Sequence, residues 1–174
     1  MDLRYPIGEF KYEGPLRDEQ LQAGIARIEE APARMRAAVA GLDKTQLDTP
    51  YRPEGWTVRQ VVHHVPESHL NSYTRFKLAL TEDEPVIKPY FEDRWAKLDD
   101  ARQAPIALSL DLLEALHGRW IWFLRSLKPE DFQRTFRHPE LGLVSLDKAV
   151  GLYAWHGQHH VAQITSLRER MGWE

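Results

Sequence analysis

The chain contains no cysteine, and that absence removes disulfides, thiolate nucleophiles and sulfur-ligated zinc or iron–sulfur centres together. Any metal must be held by nitrogen and oxygen. An excess of one charge is also missing. The 23 basic and 26 acidic side chains leave a formal net charge of -3, so no long-range positive field exists to recruit nucleic acid or anionic lipid. Neither nucleic acid nor a membrane is expected as a partner. No stretch approaches the roughly 18 consecutive apolar residues of a membrane span, and the opening MDLRYPIGEFKYEG lacks an apolar run of signal-peptide length. A cytoplasmic location is therefore expected. With 174 residues, 43% hydrophobic and 28% charged, the chain suits one globular domain over 1–174.

Histidine and tryptophan, at eight and six residues, are what the chain has in unusual number. Histidine is both the commonest metal ligand and the usual acid–base group near neutral pH, so its placement along the chain matters most. Residues 1–17, with Pro6, Gly8, Gly14 and Pro15, have no helical period and read as an irregular arm lying over the domain. Asp18 offers an N-cap to a first helix carrying Leu21, Ile25, Ile28, Met35, Val39 and Leu42, with Pro32 expected to kink or restart it. Leu47 to Gly55 reads as a connection, and Thr57 as the N-cap of a second helix through Val58, Val61, Val65, Phe76 and Leu80. A long crossover follows from Thr81 to Pro89, with a short helical turn near Trp95. Ser109 to Leu127 predicts a third helix, Thr135 to Val144 a small hairpin, and Ser145 or Leu146 to Met171 a fourth helix stopped by Gly172. Four long helices without a strand series give an all-α class and a four-helix bundle.

Bundles build metal sites from side chains that project inward from facing helices. His156 and His160, four apart in WHGQHH, stack on one helical face together with Leu152, Gln163 and Leu167. Gly157 stands where the zinc-protease HExxH motif places its base, so an activating base must come from elsewhere. In the second cluster, HHVPESH, the buried face defined by Val58, Val61, Val65 and Phe76 puts His64 on its flank and His63 nearly opposite. His64 is thus the inward candidate and would complete three nitrogens with open positions left for water and substrate. His63 reads as a surface or packing residue, and His69 as a candidate backing group. His117 and His138 carry no signal, while Glu67, one turn from His64, is the candidate proton acceptor. Trp120, Trp122 and Trp155 read as bundle core.

These residues also carry a family resemblance. The strings GWTVRQVVHHVPESHLNSYTRFKLALTEDEP, KPY followed by Trp95, LHGRW and GLYAWHGQHHVAQITSLRERMGW, with YPIG near the start, resemble the YfiT-like branch of the DinB superfamily. The resemblance implies an up-down-down-up four-helix bundle, often a homodimer, with one divalent ion, zinc or nickel, on His64, His156 and His160. It also implies a metal-dependent hydrolase of undefined substrate; related branches are S-transferases that use bacillithiol, mycothiol or glutathione. Two departures stand out. Pro66 replaces a helix former just after the ligand turn, and Phe91 stands where the family usually has an aspartate after KPY.

Three functions follow as expectations: a hydrolase acting on a small molecule with a metal-activated water, a transferase that activates an external thiol, and a bundle whose ion only clamps helices. Arg94 and Arg119 are the candidate anchors for the carboxylates of such a thiol.

Overall fold

The structure is a computed structural model and describes residues 2–173. Its long helices are α1 (Asp18–Ala38), α3 (Val58–Thr81), α6 (Ile106–Ser126) and α7 (Leu146–Met171), with short helices α2 (Lys44–Leu47), α4 (Glu92–Trp95) and α5 (Asp99–Gln103) between them. Each long helix buries a stripe at helical spacing, as Leu21, Ile25, Ile28, Ala31 and Met35 do on α1. The ends follow local chemistry. On α3, Thr57 accepts from the Gln60 backbone N–H at 3.2 Å while the Gln60 side chain accepts from Thr57 N–H at 2.9 Å, a reciprocal cap. Gly172, at φ 64°, closes α7 in the left-handed region.

Several boundaries differ from the sequence expectation. Arg17, not Asp18, is the N-cap of α1; its backbone N–H donates to the Gln20 side chain, and Asp18 lies in the first turn, where its charge faces the helix dipole favourably. α1 ends before Leu42, α2 occupies part of the expected connection, and α6 begins at Ile106 behind Pro105 rather than at Ser109. Both α1 and α3 continue through their prolines, Pro32 and Pro66. The hairpin is present, with Thr135–His138 paired antiparallel to Gly142–Ser145.

Side-chain contacts fix the direction of every long helix. A Cβ at Gly24 would meet Val150 and one at Gly157 would meet Ala31, so α1 and α7 run parallel. Ile28 meets His117 while Arg36 meets Asp111, so α1 and α6 are antiparallel. His63 bonds Ser109 and His69 bonds His117, making α3 and α6 parallel, whereas His64 faces His160 and His69 faces Tyr153, making α3 and α7 antiparallel. The bundle is up-down-down-up. Parallel α3 and α6 need a connection that returns along the bundle, and residues 82–105 supply it, tied to the hairpin where Ile87 N–H donates to the Arg137 carbonyl at 3.0 Å.

The core falls into two apolar clusters. One gathers Ile25, Ile28, Phe76, Trp120, Leu124, Leu146 and Val150; the other gathers Met35, Val58, Val61, Val65, Leu113, Ile164 and Leu167. On α3, α6 and α7 the residues between these clusters include His69, His117, His156 and His160. A layer of imidazoles thus crosses the bundle between two hydrocarbon layers. Trp120 is core as expected, but Trp122 is 82% exposed on the outer face of α6, because the broad apolar face read from sequence is wider than the stripe its neighbours cover.

Candidate metal centre

α7 turns His156 and His160 to the same side, and α3 brings His64 to meet them. The His156 Nε2 lies 3.3 Å from His64 Nε2 and 3.2 Å from His160 Nε2, and one ligand atom from each of the three lies within 4.8 Å of the others. Burial pushes the His64 imidazole down to about 4, and burial together with the neighbouring imidazoles holds His156 and His160 well below the usual histidine range. All three are therefore neutral rings at pH 7.

What lies behind the α7 rings decides where their hydrogens are. The Gln163 amide nitrogen donates to the Arg4 carbonyl at 3.0 Å, which leaves its oxygen to accept from His160 Nδ1 at 2.9 Å. His160 thus presents a bare Nε2. His156 Nδ1 lies 3.0 Å from His69 Nε2, so its Nε2 too has no partner except the other two imidazoles. Lone pairs facing each other at such distances repel unless a cation lies between them. A tetrahedral ion with Zn–N of about 2.0–2.1 Å needs nitrogens roughly 3.3 Å apart, so the two spacings from His156 Nε2 and the donor type fit a nitrogen-ligated divalent ion. The His64 Nδ1 is buried with no hydrogen-bond partner among the described residues; the Trp56 ring packs 4.7 Å from that imidazole.

The three imidazoles stand at the head of a cavity of about 440 Å³ whose wall includes Arg4, Tyr5, Arg52, Trp56, Glu92 and Asp93. The arm supplies the first two. It is laid on α7 by Trp155 Nε1–H donating to the Gly8 carbonyl and by Asp147 accepting from Leu16 N–H and Tyr12 Oη. The arm was expected to lie over the domain; that it walls the cavity carries no periodic signal in the sequence. Trp155 is not core: it stacks on His159 at 4.5 Å and lines the same cavity.

The remaining sequence candidates are distributed as follows. His63 is buried away from the cavity, bonded to Ser109 Oγ at 2.6 Å and the Ala104 carbonyl at 3.1 Å, a packing residue between α3 and α6. His159 takes a hydrogen bond from Gln163 on its Nε2 and so turns that nitrogen away from the trio. His117 is a correction: expected to be bland, it is buried and bonded to His69 and to Ile28. His138 accepts from Glu140 and Leu141 N–H and shapes its turn. Glu67 is half-buried, and burial with the nearby charge of Asp100 raises its carboxyl to about 7. The carboxylates on the cavity wall are Glu54, Glu92 and Asp93, two of them on α4 directly after Phe91. Neither expected anchor lines the cavity: Arg94 covers the exposed Phe91 ring at 4.3 Å, and Arg119 is exposed on α6. The cationic groups present there are Arg4 and Arg52.

Comparison with known proteins now gives this architecture a family. The chain belongs to the DinB superfamily, whose model matches residues 27–164. A protein of Bacillus cereus (strain 03BB102) is 57% identical over 172 residues, 99% of each chain, and bears the name "Putative metal-dependent hydrolase". A relative of the same identity and coverage from Bacillus thuringiensis subsp. konkukian (strain 97-27) has a corresponding name. The solved structure of YfiT from Bacillus subtilis, described as a probable metal-dependent hydrolase with an unusual four-helix bundle topology, is 50% identical and superposes over 100% of both chains with a TM-score of 0.97. A four-helix bundle protein only 19% identical, with a TM-score of 0.56 over 81% of this chain and 94% of its own, shares the fold. Among the described residues no helix is long and apolar enough to cross a membrane.

Proposed function

We propose that the chain is a metal-dependent hydrolase of a small molecule, holding one zinc or nickel ion on His64, His156 and His160. The observation that carries this reading is the convergence of neutral Nε2 atoms at the head of an accessible cavity. A divalent ion in such a place polarises a substrate oxygen and brings the pKa of water toward neutrality. The chain's own groups do the rest. Glu92 and Asp93 offer proton acceptors on the cavity wall itself, whereas Glu67, raised to about 7 by burial, is not among the residues that line it. Trp56 packs against His64, and Trp155 lines the same cavity beside His159, so an apolar wall adjoins the imidazoles. Turnover of activated esters or amides by metal-loaded protein without added thiol, abolished by chelation and by His156→Ala, is the expected result.

A second reading, a thiol S-transferase, draws support from Arg4 and Arg52 on the cavity wall, which suit the carboxylates of bacillithiol or glutathione. Turnover that begins only when such a thiol is supplied would replace the hydrolase with the transferase. The openness of the cavity disfavours a purely structural ion, since structural sites are closed by a fourth protein ligand. Homodimerisation is proposed on family membership alone, and a monomeric mass by light scattering would refute it.

A further inference from the structure

Pro32 lies in the interior of α1 and has no N–H, so the carbonyl of Ile28, four residues back, has no donor within its helix. Ile28 is fully buried, so bulk solvent does not reach that carbonyl. Its partner comes from α6 instead: His117 Nδ1 lies 2.6 Å away. A carbonyl oxygen can only accept, so the hydrogen is on His117 Nδ1, and the neutral ring leaves Nε2 bare. That bare nitrogen lies 2.8 Å from His69 Nδ1, which must donate to it; His69 Nε2 is then bare in turn and lies 3.0 Å from His156 Nδ1. The same rule makes His156 donate from Nδ1 and present an unprotonated Nε2 to His64 and His160.

We propose that the Ile28 carbonyl, released by Pro32, sets one tautomer through three imidazoles in series and so holds the His156 lone pair toward the ion site, making His117 and His69 positioning residues. His117 and His69 are fully buried against Trp120 and Tyr153, and the hydrogen-bond partners they have are other imidazoles and the Ile28 carbonyl, with no carboxylate to hold a positive charge, so both rings are neutral, as the series requires. The opposite polarity would drive an Nε2–H of His156 into the site and block coordination. A neutral His117 bonded to Ile28 forbids it. The steric setting agrees: Gly157 has no side chain where a Cβ would lie 3.1 Å from the Ala31 Cβ and 3.7 Å from His69 Cε1, so α1, α7 and the His69 ring close on one another.

The inference rests on reading the trio as the ion site, yet the tautomers can be measured without an ion. Long-range proton–nitrogen NMR on histidine-labelled, chelator-treated full-length protein at pH 7.5 should show the Nδ1–H form for His117, His69 and His156. An Nε2–H form or a mixture at His69 or His156 overturns the proposal. His117→Phe keeps a planar ring but cannot transmit the polarity; it should mix the tautomers of His69 and His156 and weaken zinc binding, measured by chelator competition, by about 10–100-fold. His117→Gln can donate its amide to Ile28 and accept from His69, and should recover most of the affinity and the single tautomer. Equal affinities in all three proteins, or equal losses in the two variants, would refute the series. If His117→Phe fails to fold, the wild-type spectrum and His117→Gln decide the matter. If the tautomers are as expected but wild-type protein takes up neither zinc nor nickel, the ion-site reading falls and the series stands.

Discussion

On α7 both imidazoles of the centre are held from behind: His160 by Gln163, itself tied to the Arg4 carbonyl, and His156 by His69. On α3, His64 has the Trp56 ring beside it and no hydrogen-bond partner for its Nδ1 among the described residues. One helix therefore offers a chelating pair whose rings are directed before any ion arrives. The other offers a nitrogen placed by packing alone. Orienting partners raise ligand basicity and spare the entropy of fixing a ring, so under the proposed ion site most of the affinity would come from α7, with His64 as the position that adapts.

The sharpest way to break this comparison is to remove one member of the pair. His156→Ala should cost more than about 100-fold in zinc affinity, beyond the range of orienting partners, and more than His64→Ala; equal losses in a chelator-competition titration would erase the distinction between the helices. Next in size, Gln163→Leu keeps every proposed ligand but unties His160, and should weaken zinc binding by about 10–100-fold. Unchanged affinity would show that the backing of α7 is structural only. His63→Ala sharpens the contrast within α3: it should leave zinc affinity intact while lowering stability in urea melts by about 1–3 kcal/mol, because the Ala104 carbonyl and Ser109 lose their partner. The smallest expected effect concerns Glu67. Its carboxyl holds a proton up to about 7 in the native protein but releases it near 4.5 when unfolded, so the native state binds more protons between those values and loses stability as pH rises through them. Glu67→Gln should therefore raise the melting temperature of metal-free protein at pH 8 relative to wild type and change it little at pH 4. A larger gain at pH 4 would contradict the burial of this group.

Much of the bundle was legible because long amphipathic helices repeat their signal, and His64, His156 and His160 could be singled out because helical spacing predicts which side chains share a face. The short helices α2 and α5 escaped because four or five residues contain too little of a period to register. The start of α6 was misplaced because Pro105 contributes no capping side chain. His117 was passed over because its partner is a backbone carbonyl on another helix, and the available clue, a proline four residues beyond Ile28, has meaning only once α6 is known to pack there. Arg4 and Arg52 sit on irregular backbone, where spacing predicts nothing about direction, so the cationic wall could not be read from the chain.

The close seam between α1 and α7 joins helices that lie far apart along the sequence. Gly24 approaches Val150, Ala31 approaches Gly157, and the Arg4 carbonyl holds Gln163. At a synthesis rate of about 5–20 residues per second, the first helix waits on the order of ten seconds for the partner it packs against. During that interval His63, His64 and His69 have left the ribosome, but the chelating pair does not yet exist. The imidazole layer is complete only once α7 has docked, so the proposed three-nitrogen site is a property of the assembled bundle and not of its first three long helices.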